Sequence, residues 1–351
     1  MKVVIAPDSF KECMSSQQVA AVLADAARER FPGAEIVPLP LADGGEGSLS
    51  VLADALQATL RQARVHDPLG RIIQAGYAVK GTLAVIEVAQ AAGLSLLSRE
   101  ERNPMRASSR GVGELIMAAY AAGCRQFLAC LGGSATCDGG ADMLDVPGLS
   151  HLKDVTFELL CDVDAPFIGP TGAARVFAPQ KGASPRDIPV LEERMVRMAE
   201  KLHALTGIDV SHLPGAGAAG GLAGALMACF RARMRPGIDC ILDLVHFDQA
   251  AEDAGLIITG EGKSDAQTLM GKVPYGVLQR AHATPVALLS GRVEDRAALE
   301  HAGFRPIVEV SPRNMSLAEA LKPSTAARNL YDAVRNLHDS IGRPYDALGR
   351  L

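Results

Sequence analysis

The sequence has 351 residues, 48% hydrophobic and 21% charged, and its 35 basic and 40 acidic side chains leave a formal net charge of -5. This length and apolar fraction suit about two globular domains and exclude a wholly disordered chain. Because the sequence has no block of like charges, it offers no electrostatic support for nucleic-acid or anionic-membrane binding, and small molecules are the expected partners.

The first part of the chain repeats one pattern twice, a short apolar run followed by a loop and an amphipathic helix. Residues 3–6 predict a buried strand, and Ser15 and Gln18 have the spacing of a helix capping box. A second strand is predicted over 36–39, and the loop 42–47 leads from it into another helix.

The last part of the chain continues this alternation. Apolar runs over 256–259, 286–289 and 307–310 are each followed by a glycine or serine and then by a plausible helix. Alternation of this kind predicts parallel strands covered by helices, in a sheet that binds ligands at the carboxyl ends of its strands.

The middle of the chain has a different pattern, with a strand pair over 72–79 and 82–88 and a long amphipathic helix over 185–205. We therefore predict an α/β protein of two domains. A parallel-sheet domain is expected from residues 1–65 and 251–351, a mixed α/β domain is expected from residues 66–250 inserted into it, and the active site is expected in the cleft between them.

Nothing in the sequence predicts export or membrane insertion. The apolar start ends at Pro7, too soon for a signal peptide, and the uncharged run 213–230 contains a proline and five glycines. The seven cysteines include no Cys-x-x-Cys pair, so neither a disulfide framework nor a zinc ribbon is predicted. We expect a cytoplasmic protein.

Loops that combine glycine with acidic or hydroxyl residues follow several predicted strands. They are 6–11, 42–47, 131–140, 161–164 and 259–265. Each alone is more often a tight turn than a site. Together they predict a phosphate-handling cleft, because glycine lets backbone N–H groups approach a phosphate and carboxylates hold the Mg²⁺ that neutralises it.

Two glycine motifs match known patterns only in part. Residues 215–220 fit G-x-G-x-x-G, but no buried strand precedes them, so NAD binding is not predicted, although these glycines could still place a helix N-terminus against phosphates. Lys263 lies in a Gly-Lys-Ser triplet like the end of a P-loop, but Ile257 stands where the leading glycine belongs.

Asp162 and Asp164 lie two residues apart after a predicted strand over 156–161. If the extended backbone continues to 164, both carboxylates point to the same side. The pair is then either a Mg²⁺ or general-base pair, or the solvated rim of a loop.

Taken together, these motifs resemble the type-1 glycerate kinase family in order and approximate spacing over about residues 2–310. The matching segments are 6–11, 42–47, 102–104, 132–136, 161–164, 179–183, 215–221 and 259–263. The resemblance implies a flavodoxin-like domain with an inserted domain, and ATP-dependent phosphorylation of D-glycerate on its 2-hydroxyl with Mg²⁺.

The chain departs from the family pattern at a few positions. Glu12 and Cys13 replace a small Gly-Ser pair, Cys137 stands where the family generally has asparagine, and the chain is shorter between Asp142 and Val155. None of these changes removes a charged candidate residue.

The motifs and the resemblance together suggest roles for individual residues. The catalytic candidates are Asp162 or Asp164 as general base and Lys11 at the transferring phosphoryl group. The alternative for Lys11 is that it binds the glycerate carboxylate. The candidates for substrate binding are Asp8, Ser9 and Arg102, and Arg102 is suited to clamp a carboxylate. The nucleotide candidates are Gly132, Gly133, Ser134, Gly215, Gly217, Glu261 and Lys263. The Mg²⁺ candidates are Asp43 and Asp265, with Glu46 and Glu261 next.

Some alternatives stay open at this stage. The same scaffold could phosphorylate the 3-hydroxyl of glycerate or another small hydroxy acid, or it could be a sugar-acid or nucleotide sensor without catalytic activity. The assembly is expected to be a monomer or a homodimer.

Overall fold

The computed structural model describes residues 1–337. It divides into two compact units: the terminal unit, which contains Met1–Ala42 and the chain from Ile241 onward, and the inserted unit, Asp43–Cys240. The α/β class and the insertion of the middle of the chain agree with the sequence analysis.

The strands are β1 (Lys2–Ile5), β2 (Glu35–Pro38), β3 (Thr59–His66), β4 (Ile72–Lys80), β5 (Leu83–Glu87), β6 (Gln126–Cys130), β7 (Thr156–Leu160), β8 (Arg233–Arg235), β9 (Ala254–Ser264), β10 (Val286–Val293) and β11 (Ile307–Glu309). The helices are α1 (Ser16–Arg30), α2 (Ser48–Leu56), α3 (Ala89–Ala92), α4 (Arg110–Ala121), α5 (Ala141–Leu144), α6 (Ala173–Phe177), α7 (Asp187–Thr206), α8 (Leu222–Phe230), α9 (Gly237–Leu244), α10 (Phe247–Ala251), α11 (Val273–Arg280), α12 (Arg296–Ala302), α13 (Leu317–Ala320) and α14 (Pro323–Arg335).

The terminal unit is built on a parallel sheet with the strand order β11-β10-β9-β1-β2. Helix α1 begins at the predicted capping box: Ser15 Oγ accepts from the Gln18 N–H and Gln18 Oε1 accepts from the Ser15 N–H. This exchange satisfies two backbone donors that a helix start leaves open. The apolar face of α1 packs with α14 into the core of this unit.

The inserted unit has a mixed sheet with the order β3-β4-β5-β6-β7-β8, in which β3, β4 and β5 are antiparallel and the remaining pairs are parallel. The unit begins earlier than the expected boundary at residue 66, because β3 pairs with β4 along its whole length and α2 packs on β4 and β5. Strand pairing thus assigns residues 43–65 to this unit.

The prediction of a loop over residues 259–265 is wrong as far as Ser264, because these residues belong to strand β9. Strand β9 continues to Ser264 because β10 pairs with it beyond Thr259, with Ser290 opposite Glu261 and Arg292 opposite Lys263. Glycines that usually mark a turn lie here inside a strand. At Gly260 a Cβ atom would come within 2.0 Å of the Leu289 carbonyl oxygen, so this close approach of two backbones requires glycine.

Replacing Gly260 with alanine should therefore lower the free energy of unfolding by about 1–3 kcal/mol, because the strands must separate to accept the methyl group. Urea unfolding measures the change. Gly262→Ala is the matched control on the same strand, since its Cβ would have nothing closer than 3.6 Å. Equal stability losses in the two variants would contradict the explanation.

Candidate active site

Each unit carries candidate residues where its parallel strands end, which is the edge at which open α/β sheets bind ligands. In the terminal unit the loop 6–11 follows β1 and lies against β9. The Asp8 N–H donates to the Gly260 carbonyl (2.9 Å), and the backbone nitrogen of Lys11 is 3.6 Å from the position that a Cβ atom would take at Gly262. Asp8 is buried, and its Oδ1 accepts from the Ser9 N–H (2.6 Å). The Lys11 side chain is exposed.

Glu261 lies on β9 with its carboxylate buried in a polar cluster. Its Oε1 accepts from Ser264 Oγ (3.0 Å) and Thr268 Oγ1 (2.6 Å), and its Oε2 is 3.4 Å from Lys272 Nζ. Burial raises the pKa of Glu261, and these donors and the ammonium oppose the rise. A role in nucleotide binding would therefore act through this cluster, which also brings Lys272 to the site.

Lys263 and Asp265 have protein partners in this structure. Lys263 Nζ is 2.9 Å from Glu294 Oε2 and 3.5 Å from Asp265 Oδ2, and the bond with Glu294 is the main reason that the pKa of Lys263 is raised. Asp265 Oδ1 accepts from the Gln267 N–H and so caps a short 3₁₀ turn. To bind Mg²⁺ or a nucleotide, these side chains would have to exchange partners.

In the inserted unit the structure brings Asp162 and Asp43 together. The Gly237 N–H donates to Asp162 Oδ1 (2.7 Å), so this carboxylate caps the start of α9. A Cβ atom at Gly237 would come within 2.2 Å of the Asp43 carbonyl oxygen and 3.0 Å of Asp162 Oδ2, which shows how tightly the three segments meet. Asp43 Oδ1 accepts from the Gly45 N–H (3.0 Å).

The environment of Asp162 favours its protonated form more than water does. Desolvation by the surrounding protein raises the pKa of Asp162 to about 6; the Gly237 N–H opposes this rise and the negative charge of Asp43 adds to it. The side chain nonetheless remains accessible to solvent. An accessible carboxylate with a pKa near neutrality suits a general base.

Asp164 lies on the same loop and is exposed. Because β7 ends at Leu160, the alternation of a strand does not extend to this position and does not place the two carboxylates on one side. The contacts with Gly237 and Asp43 therefore distinguish Asp162 from Asp164, which the spacing alone could not do.

Backbone contacts join the 42–47 loop to the glycines that follow β6. The Gly132 N–H donates to the Gly44 carbonyl (3.0 Å), and a Cβ atom at Gly132 would lie 2.5 Å from Gly45 Cα. Gly133 is exposed and has a φ of +77°, a conformation that favours glycine. Residues 43–47 and the 132–134 loop, which is the predicted phosphate loop, thus lie side by side in this unit.

We expect Gly132→Ala to lower kcat/KM for the glycerate phosphorylation that the resemblance implies by about a hundredfold. A shift of about 1 Å between the groups of an active site is enough for such a loss. The backbone angles at residue 132 are accessible to alanine, so the fold should survive. Steady-state kinetics and urea unfolding on the same preparation separate the two effects. A folded variant with wild-type turnover would contradict this expectation.

The glycines at 215 and 217 have mainly packing roles in the structure. The Gly217 N–H donates to the Ala165 carbonyl (2.9 Å), and a Cβ atom there would lie 2.3 Å from the Pro166 carbonyl oxygen. At Gly215 a Cβ would be 2.8 Å from the Met234 side chain. These contacts hold the segment against the loop that carries Asp164, and the Gly217 N–H is already used.

Arg102 lies on a loop that an ion pair fixes in place. Arg71 Nη1 is 2.8 Å from Glu101 Oε1, directly before Arg102. The Arg102 carbonyl oxygen is 2.2 Å from the Cβ position of Gly182, which has a φ of +98° and must be glycine. Arg102 Nε is buried and has no hydrogen-bond partner among the described residues. An unpartnered guanidinium nitrogen is consistent with the predicted role in binding a carboxylate.

Lys181 was not predicted as a functional residue. It is 3% exposed, and its Nζ donates to Ser134 Oγ (2.9 Å) and to the Thr136 carbonyl (2.7 Å). Burial lowers the pKa of Lys181 to about 8. The sequence shows this lysine inside the 179–183 motif, but only the structure shows that it is buried beneath the phosphate loop.

A cavity of about 440 Å³ lies beside Cys137 and Asp138, the residues that follow this loop. Its wall includes four basic side chains, Arg106, Arg194, Arg197 and Lys201, and two acidic ones, Asp138 and Asp142, so its formal charge is positive. The cavity and the buried lysine both favour anionic ligands in this part of the inserted unit.

Within residues 1–337, no group of three or more histidine, cysteine, aspartate or glutamate side chains is arranged to hold a metal ion. Mg²⁺ commonly takes only one or two protein carboxylates and completes its shell with water and phosphate, so the Asp43 and Asp162 pair is compatible with it. In the same range, none of the helices combines the length and the apolar character needed to cross a membrane.

Comparison with known proteins identifies the family. Residues 3–152 and 145–342 match the glycerate kinase family. The glycerate kinase of Halalkalibacterium halodurans is 38% identical over 93% of this chain and 97% of its own length, and the glycerate 2-kinase of Escherichia coli K12 is 37% identical over 92% and 93%. A crystal structure described as a glycerate kinase 2 of Salmonella typhimurium LT2 superposes with a TM-score of 0.80 at 36% identity, covering 97% of this chain and 98% of that one. The chain therefore belongs to the glycerate kinase family.

Proposed function

We propose that this protein transfers the γ-phosphoryl group of ATP to the 2-hydroxyl of D-glycerate, giving 2-phosphoglycerate and ADP. The observation that carries the proposal is that Asp162 and Asp43 both lie beside Gly237, next to the 132–134 loop, in a chain of this family. The similarity to a protein named glycerate 2-kinase supports the 2-position.

Asp162 is the proposed general base. The Gly237 N–H orients its carboxylate, and a pKa of about 6 leaves it mostly ionised near pH 7 while it remains basic enough to accept the hydroxyl proton. The attacking oxygen then forms a bond with the γ-phosphorus as the bond to the leaving ADP oxygen breaks. Most of the catalysis in such a transfer comes from positioning and charge neutralisation.

The remaining candidates bind the two substrates in this proposal. In the inserted unit, Arg102 is the candidate for binding the glycerate carboxylate. In the terminal unit, Asp8 and Ser9 are the candidates for substrate binding. Lys11 neutralises the transferring phosphoryl group, for which its exposed ammonium is suited. The 132–134 loop is the candidate for nucleotide phosphates in the inserted unit. Glu261 and Lys263 are the nucleotide-binding candidates of the terminal unit.

Asp43 is the proposed Mg²⁺ ligand, and its fit rests on the charge of the site: the negative charge of Asp43 contributes to the raised pKa of Asp162, and a cation would relieve this repulsion. When bound, Mg²⁺ would neutralise charge on the ATP phosphates. Asp265 is a weaker candidate, because its oxygens already contact Gln267 and Lys263. A cytoplasmic monomer or homodimer remains part of the proposal.

The test is ³¹P and ¹³C NMR of the product formed from D-glycerate, ATP and Mg²⁺, with L-glycerate, tartronate and no acceptor as controls. A 2-phosphoglycerate signal that requires D-glycerate is the expected result. A 3-phosphoglycerate signal would retain the kinase and change the position of transfer. A folded, nucleotide-binding protein that forms no product from any acceptor would instead favour the sensor alternative.

A further inference from the structure

The Lys181 ammonium is buried without a carboxylate to balance it. Its hydrogen-bond acceptors, Ser134 Oγ and the Thr136 carbonyl, are both neutral, and no carboxylate oxygen in residues 1–337 lies within 4.0 Å of its nitrogen. Placing a charge in the protein interior without a counter-charge is costly. The protein therefore supplies no direct ion pair that would balance the charge of Lys181.

The titratable groups nearest to Lys181 do not supply that counter-charge. The Asp138 carboxylate is engaged elsewhere: it accepts from Ser109 Oγ (2.6 Å), from the Ser109 N–H (3.0 Å) and from the Gly140 N–H (3.0 Å). Cys137 is a buried thiol whose pKa burial raises to about 11, so it is neutral. The attraction of Asp138 for Lys181 is therefore long-range and not a direct ion pair.

Next to Lys181, the loop 132–134 has an exposed residue, Gly133, and a largely buried one, Ser134, which is 5% exposed. Within the described residues, the N–H groups of Gly133 and Ser134 have no intramolecular acceptor, whereas the Gly132 N–H is bonded to Gly44. Ser134 Oγ accepts a hydrogen bond from Lys181 Nζ, which leaves its own O–H available to donate. Successive free N–H groups next to a left-handed glycine form a concave anion site.

We propose that the loop 132–134 is an oxyanion site for a phosphate group of the nucleotide, and that Lys181 is its buried counter-charge, acting through Ser134. This inference rests on the proposed function and adds a positioning residue to it. The bound phosphate completes the charge balance that the protein leaves open, and Lys181 transmits its charge to the ligand by polarising the Ser134 hydroxyl.

A purely structural alternative is that Lys181 only fastens the loop to the turn 179–182. The two roles differ in what a ligand does to the lysine. If Lys181 is a counter-charge, a bound phosphate stabilises its ammonium form and raises its pKa, whereas a structural fastener would respond equally to charged and uncharged ligands.

The first experiment is a pH titration of the full-length protein labelled with ¹³C at lysine Cε, with the Lys181 signal assigned through Lys181→Arg. Its pKa should rise by about one unit when ADP or inorganic phosphate is bound, because an added negative charge favours the ammonium. Adenosine, which lacks phosphate, should leave it unchanged. No rise with ADP, or a rise with D-glycerate alone, would overturn the proposal.

The second experiment compares ADP and adenosine affinities in Lys181→Met, with Lys80→Met as the matched control, because Lys80 is exposed at the end of β4 in the same unit. We expect Lys181→Met to bind ADP about tenfold to a hundredfold more weakly than the wild type, because the loss of a hydrogen bond to a charged group weakens binding by about this factor. Its affinity for adenosine should equal that of the wild type. Ser134→Ala, which keeps the lysine, should show a smaller loss of ADP affinity. Wild-type ADP affinity in Lys181→Met, or equal losses for ADP and adenosine, would overturn the counter-charge role.

These outcomes are independent of the proposed reaction. Glycerate-dependent turnover of the wild-type protein tests the reaction itself. Wild-type turnover combined with an unchanged Lys181→Met affinity would reject only the counter-charge. If the pKa of Lys181 rises with ADP but the protein phosphorylates no glycerate, only the proposed reaction is rejected.

Discussion

Asp162→Asn should lower kcat for glycerate phosphorylation by about 10²- to 10⁴-fold, the usual contribution of a general base. Asparagine keeps an oxygen that can accept from the Gly237 N–H, so the start of α9 should be preserved while proton transfer is lost. Because the base acts in the transition state, KM for glycerate should change little. Steady-state kinetics with D-glycerate and saturating ATP measure both quantities.

Asp164→Asn is the matched control for this prediction. It removes the same charge from an exposed position two residues along the same loop, so we expect kcat to change by no more than a few-fold. Near-wild-type turnover in Asp162→Asn would reject the assignment of the base. A larger loss in Asp164→Asn would transfer the role to that residue.

Stability provides a second measurement on the Asp162 variant. A carboxyl whose folded pKa is raised stabilises the protein fully below its ordinary pKa, and this contribution is lost as the pH rises through about 6. Asparagine does not ionise, so Asp162→Asn should not lose this stability as the pH rises. The variant should therefore be more stable relative to the wild type at about pH 8 than at about pH 4, as urea unfolding without Mg²⁺ can show.

Local signals in the sequence predicted much of the fold. The Ser15 and Gln18 spacing placed the start of α1 correctly, because a capping box depends only on neighbouring residues. The continuation of β9 past Thr259 depends on pairing with β10, about thirty residues later in the chain, and a local reading of its glycines as a turn missed it. For the same reason the start of the inserted unit was placed too late.

The candidate site shows the same limit. The sequence indicated Asp43 and Asp162 separately, but their approach beside Gly237 depends on segments far apart in the chain. It gave no role to Lys181, since a lysine is usually exposed and its burial beneath Ser134 depends on tertiary packing. It assigned Gly217 to phosphate binding from a pattern, whereas its N–H is bonded to Ala165.

Asp43→Asn is expected to reduce Mg²⁺-supported turnover by about a hundredfold or more, because removal of a proposed metal ligand weakens binding of the ion that neutralises the phosphates. Asparagine can still accept from the Gly45 N–H, which should preserve the loop. Asp54→Asn is the control, because it removes the same charge from an exposed position on α2 of the same unit. Electron paramagnetic resonance of Mn²⁺ with ADP gives a binding readout that is independent of turnover.

The same substitution also has a predicted effect without metal. The negative charge of Asp43 raises the pKa of Asp162, so its removal should lower that pKa in the metal-free protein. Carboxyl ¹³C NMR of Asp162 in wild-type and Asp43→Asn protein measures the shift. An unchanged Asp162 titration with full Mn²⁺ binding would show that the two carboxylates do not act together, and the Mg²⁺ ligand would then have to be sought elsewhere. A lower Asp162 pKa together with lost Mn²⁺ binding would establish that Asp43 both binds the ion and tunes the base, because a single charge at this position then accounts for both effects.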